Sequence, residues 1–218
     1  MGLIAKEGGG SFKPVPPGAW TARCYQVIDL GTQVSKFDNK EQHKIRVQFE
    51  VHDKDKGGRP LVTAKGEPMT ISKNYTLSLN SEATLRKDLV SWRGRDFTRQ
   101  ELDGFELKNI LDKWATILVK ESIGADNKSY SNITGISPVD PAVKAEGLPA
   151  PHNKAQYFDL DNPDMELFET FSQWTQAAIK STKEWKRREY ETGENQSGAD
   201  RYARQGSGFD DMKDDNPF

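Results

Sequence analysis

His43-Lys44-Ile45-Arg46-Val47-Gln48-Phe49-Glu50-Val51 alternates apolar and polar side chains without a break. Successive side chains of a strand point to opposite faces, so this period of two puts Ile45, Val47, Phe49 and Val51 on a buried face. Lys44, Arg46, Gln48 and Glu50 take the other face. Upstream, the polar stretch 31–42 reads as a loop, and Trp20–Leu30 is a β-favouring run whose Val27-Ile28 doublet points to a bulge or bend. Downstream, Asp53–Gly58 is a turn, and Met69–Leu79 is a third strand with Ile71, Tyr75, Leu77 and Leu79 at alternate positions. Ser81–Trp92 is helical: Ser81 can cap it, Leu85, Leu89 and Trp92 recur at helical spacing, and Gly94 can end it. Thr116–Ser122 and Tyr130–Ile136 are a fourth and a fifth strand joined by a turn.

Five strands with one helix between the third and the fourth is the order of the OB fold, a small Greek-key barrel that binds oligonucleotides on its second and third strands. A plain meander sheet gives the same order. The expected architecture is mainly β: an OB-fold five-stranded barrel over residues 19–137 with one inter-strand helix, followed by a C-terminal helix and a disordered acidic tail. Residues 1–18, with Gly8-Gly9-Gly10 and Pro14-Val15-Pro16-Pro17-Gly18, read as a flexible arm. Residues 138–160 carry Pro138, Pro141, Pro149 and Pro151 and read as a linker.

Asn162-Pro163-Asp164 opens an amphipathic helix over 161–190, with Lys183, Lys186, Arg187 and Arg188 near its end, where they match the helix dipole. Its apolar stripe is Leu167, Phe168, Phe171, Trp174, Ala178 and Trp185, which must bury itself on the barrel or against a second copy of the chain. A homodimer is therefore one expectation. Residues 191–218 hold too few apolar groups to fold.

Only 34% of residues are apolar and the mean hydropathy is -0.80, so some of the ten Phe, six Tyr and five Trp are available to face solvent or a ligand. With no apolar run of bilayer length and no signal-peptide pattern, a soluble intracellular protein is expected. Cys24 stands alone, which excludes an intramolecular disulfide. Residues 1–137 carry 21 Lys and Arg against 17 Asp and Glu, a balance of +4, whereas residues 138–218 carry 10 against 16, a balance of -6. A basic body joined to an acidic end suits a nucleic-acid binder with an interaction tail.

Binding single-stranded DNA without regard to sequence needs cations along the backbone's path and flat rings on which bases stack. Lys44 and Arg46 are the phosphate candidates on strand two, with Gln48 beside them. Arg23 and Tyr25 share a face of strand one, and Lys73 and Tyr75 a face of strand three, where Tyr75 is equally a stacking ring or a core residue. Trp92-Arg93-Gly94-Arg95 joins an aromatic to two cations at a helix end, as a DNA clamp or as a packed Trp92 with exposed arginines. Phe37 lies in a polar loop and is expected to stack on a base or close over the strand. Trp20, Phe49 and Trp114 are expected in the core.

The ending Asp214-Asp215-Asn216-Pro217-Phe218 resembles the acidic Asp-Asp-Ile-Pro-Phe terminus of bacterial single-stranded DNA-binding proteins, with Asn216 in place of Ile. The body from Gly18 to Trp92-Arg93-Gly94-Arg95, with Val27-Ile28-Asp29-Leu30-Gly31-Thr32-Gln33, resembles phage-encoded single-stranded DNA-binding proteins of the OB class. What the resemblance implies is a DNA-coating barrel, at work in the cytoplasm of a phage-infected bacterium during replication, recombination and repair. It also implies a tail that recruits partner proteins of those processes. In that tail, Phe218 and its carboxylate would enter an apolar pocket rimmed by cations, Pro217 would pre-set the backbone, and Asp210, Asp211, Asp214 and Asp215 would steer the encounter.

Asp53-Lys54-Asp55-Lys56-Gly57-Gly58 hints at a calcium loop, but Ala64 stands where the bidentate Glu belongs. His43, His52, His152 and Cys24 lack metal-ligand spacing, and no phosphate-cradling Gly-rich segment is present. No enzyme activity, metal or cofactor is expected. A dimeric adaptor that recruits replication partners without touching nucleic acid is the competing expectation.

Overall fold

The strand read from residues 43–51 is the second of six in the computed structural model, which describes residues 14–35, 39–124 and 127–191. β1 (Gly18–Val34), β2 (Glu41–Val51) and β3 (Thr70–Thr76) form an antiparallel meander, and β4 (Trp114–Ile123) and β5 (Ser129–Ser137) form a hairpin. The long strand β1 joins the two. One edge of β1 pairs with β2 from Ala22 to Val34. The other edge pairs antiparallel with β4 over Gly18–Arg23, then parallel with β6 (Gln156–Phe158) over Gln26–Ile28. The strand path is β3-β2-β1-β4-β5, with β6 off the path on β1 and no strand pairing between β3 and β5. The fold is mainly β, and its sheet is not closed.

Tyr25 stands between the pairs Cys24–Phe49 and Gln26–Gln48 without a partner of its own, and such an extra residue reverses the alternation of the strand. Trp20, Ala22 and Cys24 therefore share a core with Val27, while Ile28 and Leu30 face a second core. The Val27-Ile28 doublet marks this bulge from just downstream, supplying one residue to each core. A second register shift lies between Asp29 and Gly31. Gly31 has φ +67°, and a Cβ there would stand 2.8 Å from Leu160 Cδ1 and 2.9 Å from Thr182 Cγ2. Only glycine fits where the C-terminal segment crosses the sheet.

The first core lies inside the curve of the sheet, where Ile45, Val47, Phe49 and Val51 meet Ile117 and Ile133. α1 (Thr84–Arg93) adds Leu85, Leu89 and Trp92 and touches both unpaired ends of the strand path. Its Ser91 Oγ donates to the Ile136 carbonyl of β5 at 2.7 Å, and its Asp88 accepts from the Tyr75 hydroxyl of β3 at 2.8 Å. The helix begins three residues later than Ser81, and Ala83 occupies its N-cap without a side-chain bond. Gly94 ends it at φ +69°, its N–H donating to the Val90 and Ser91 carbonyls. α2 (Arg99–Asp103), held by a Thr98–Glu101 capping box, and a 3-10 turn at Leu107–Ile110 lead into β4.

Two expectations for the second half need correction. Residues 138–160 are not merely a linker, because Val139 is buried, α3 (Pro141–Glu146) starts on an Asp140 cap, and β6 adds to the sheet. The helix expected over 161–190 is three helices: α4 (Met165–Glu169), α5 (Gln173–Lys180) and α6 (Lys183–Glu191). Ser172 and Thr182 cause the breaks, since hydroxyl side chains offer the backbone an alternative to continued helix. Ser172 Oγ accepts from the Thr175 N–H, and Thr182 Oγ1 accepts from the Trp185 N–H. The turns let the rings wrap one another: Phe168 stacks on Trp185 at 4.5 Å, and Phe171 meets Phe158 edge-on at 5.1 Å. Together with Ile28, Leu30 and Ile179 they form the second core, between β1 and the helices. Among the described residues no helix is long and apolar enough to cross a membrane.

Candidate nucleic-acid interface

Along β2 the outward side chains are Gln42, Lys44, Arg46 and Gln48, the polar half of the alternation that builds the core. Lys44 Nζ donates to Thr76 Oγ1 on β3 at 2.7 Å. Arg46 Nε donates to Asn74 Oδ1 at 2.9 Å, and its Nη1 to Thr175 Oγ1 on α5 at 2.8 Å. Partial burial lowers the Arg46 pKa. The hydrogen-bond acceptors of Lys44 and Arg46 among the described residues are all neutral, so neither cation is cancelled by a bonded carboxylate. An anion is the group that would complete them.

A groove of about 380 Å³ opens beside Arg46, lined by Arg46, Ser72, Lys73 and Asn74 on one side and by Asn132 and Ile133 of β5 on the other. It occupies the gap where β3 and β5 end the strand path unpaired. Lys73 reaches it with its charge already engaged, Nζ standing 2.6 Å from Asp88. Gln48 is half-buried opposite Ser72 in the register, at the inner end of the same face.

The remaining candidates lie elsewhere, and several are corrected by burial. Arg23 is 1% exposed and pairs with the fully buried Glu50 at 2.7 Å, with Asp112 and with the Asn153 carbonyl. A guanidinium enclosed in that way has no face left for phosphate. Burial would raise the Glu50 carboxyl, but bonds from Arg23, Asn153, His52 and His152 outweigh it and hold the pKa at about 2. Tyr25 is buried in the bulge, its hydroxyl bonded to Thr70, and burial pushes its pKa to about 12. Tyr75 is core, with burial and the adjacent Asp88 raising its pKa. Trp92 is core as well, its Nε1 donating to the Trp114 carbonyl at 2.8 Å. None of these three rings offers a face to a base.

Arg93 and Arg95 sit at a second cleft, of about 570 Å³, whose walls include Trp92, Phe105, Trp114 and Lys144. Arg93 lies over the rings of Phe97 and Phe105, at 4.4 and 5.2 Å from their centroids, and pairs with Glu101. Arg95 pairs with the same carboxylate at 2.8 Å, and those bonds hold the Glu101 pKa at about 2. These arginines brace the end of α1 and α2. Phe37 and the tail residues Asp210, Asp211, Asp214, Asp215, Pro217 and Phe218 lie outside the described residues.

Sequence reasoning missed Ser72, Asn74 and Asn132, because polar side chains on strands carry no periodic signal of their own, and Thr175 on α5, because its contact with Arg46 spans 129 positions of sequence. It also placed Trp174 in a buried stripe, whereas Trp174 is 88% exposed. Among the described residues no group of three or more His, Cys, Asp and Glu side chains is placed to hold a metal ion. No known protein family, no curated protein and no solved structure is matched by this chain.

Proposed function

We propose that this protein binds single-stranded DNA independently of sequence, as an OB-fold protein like the phage-encoded single-stranded DNA-binding proteins it resembles. On this proposal it protects the strand during replication, recombination and repair in the cytoplasm of an infected bacterium. The observation that carries the proposal is the pair Lys44 and Arg46, two successive outward cations on β2 with neutral hydrogen-bond partners, of which Arg46 lines a polar groove. The strand path β3-β2-β1-β4-β5 supports an OB barrel, in which the second and third strands carry the nucleic acid. Phosphates would follow the cations, while Asn74, Ser72 and Asn132 would meet sugar or base edges that differ little between sequences. Asp210, Asp211, Asp214, Asp215, Pro217 and Phe218 would recruit the partner proteins.

The adaptor alternative drew on an unsatisfied helical stripe, and most of that stripe is buried against β1 of the same chain. Gel retardation of a poly-thymidine oligomer at low ionic strength tests the proposal. The protein should retard the oligomer and be displaced by rising salt; failure to retard it at low salt sinks the proposal.

A further inference from the structure

Sequence-independent binding draws its affinity from bases stacked on rings as well as from charge, and Tyr25, Tyr75 and Trp92 are all buried. Among the described residues the large exposed rings are Trp174, Tyr190 and Tyr130. Trp174 is 88% exposed, and its ring has no aromatic, cation–π or hydrogen-bond partner among the described residues. Tryptophan is on average a well-buried residue, so its near-complete exposure in a protein that buries Trp20, Trp92 and Trp185 is a cost that needs a reason.

Its position supplies one. The next residue, Thr175, is 5% exposed and turns its hydroxyl onto the Arg46 guanidinium at 2.8 Å. That contact ties the first turn of α5 to Arg46, the cation that lines the groove, and Trp174 is the residue immediately before the one that makes it. The Ser172 cap, which breaks the long helix, sets the rotation that buries Thr175 and leaves Trp174 outside. A continuous helix would have carried the ring inward with Phe168 and Phe171.

We propose that Trp174 is the stacking platform of the groove, holding an unpaired base of a strand whose phosphate lies on Arg46. The inference rests on the single-stranded DNA reading above. Its occupant is a nucleobase because the ring is carried by the residue next to Thr175, which holds the Arg46 guanidinium. Among the described residues that guanidinium is bonded only to neutral acceptors, so that one ligand with a base and a phosphate can meet ring and cation together. An apolar protein partner would leave Arg46 desolvated and uncompensated.

Intrinsic fluorescence with oligo-thymidine tests it on the full chain, comparing wild type, Trp174→Phe and Trp174→Ala. An exposed side chain is removed, so all three should unfold at the same denaturant concentration. Wild-type fluorescence should be quenched on binding. Trp174→Phe should keep affinity within about twofold while losing most of the quench, and Trp174→Ala should bind ~tenfold more weakly. If Trp174→Ala binds as tightly as wild type, or the quench survives in Trp174→Phe, the stacking role is overturned while strand binding stands. If wild type retains no oligomer, the proposed function falls and the inference with it. A fall in sedimenting mass in Trp174→Ala without DNA would assign the ring to self-association and overturn the inference in a different way.

Discussion

Two arginines one strand apart divide the chemistry of this protein. Arg23 on β1 is sealed against Glu50, Asp112 and the backbone at Asn153, and Arg46 on β2 meets neutral acceptors and an open groove. The same residue type is structural in one place and a candidate ligand contact in the other. Glu50 accepts from Arg23 and from both backbone N–H groups of His152 and Asn153, so one buried carboxylate ties β1 and β2 to the segment that leads into β6. Its pKa is held at about 2, below the ordinary 4.5. A depressed carboxylate contributes stability that is present above pH 4.5 and is lost as pH falls toward 2. Glu50→Gln should therefore cost ~3 kcal/mol near neutrality by leaving Arg23 buried without its counter-charge. Denaturant unfolding across pH should show the gap between wild type and variant closing from about pH 4.5 to about pH 2. A gap that stays constant would mean that the network does not depend on the Glu50 charge.

At the scale of elements, β2 was legible from sequence because one of its faces is core along its length, and Ile45, Val47, Phe49 and Val51 all lie there. β1 was legible as a strand but not in its faces, since the outward side chains Arg23, Ile28 and Leu30 are roofed by residues more than a hundred positions away. Local periodicity carries no record of that roof. The broken helix failed for a local reason: Ser172 and Thr182 were read as ordinary helical positions, although each is a cap. Tyr75 fell to the core side of its two expectations, in phase with Ile71, while the next alternate residue, Leu77, is exposed beyond the end of β3. For the candidate site, the alternation of β2 put Lys44 and Arg46 on its outward face and that of the third strand put Lys73 on a face with Tyr75, and the groove became visible only when β5 was set opposite β3. The roof over β1 also makes a prediction. Phe168 touches Phe158, Phe171 and Trp185, so Phe168→Ala should destabilise by ~3–5 kcal/mol in thermal or denaturant unfolding. A loss below ~1 kcal/mol would mean that the helices are a loosely attached appendage.

Across the whole molecule, a sheet with uncancelled cations on one face is followed in the sequence by an acidic end that reads -6 over residues 138–218. The proposed division of labour predicts that deleting Met212–Phe218 abolishes pull-down of replication or recombination proteins and leaves single-stranded DNA affinity equal or higher. A fall in affinity would contradict it, because acidic residues compete with DNA for cations. The most direct measurement of the central claim is the salt dependence of oligo-thymidine affinity for wild type and for Lys44→Ala/Arg46→Ala. If both cations contact phosphates, the slope of log K against log salt becomes shallower by ~0.7 for each lost contact, or ~1.4 in the double variant, and affinity falls at low salt. Two parallel lines of equal slope would contradict the claim, because the strand would then be held by cations other than this pair.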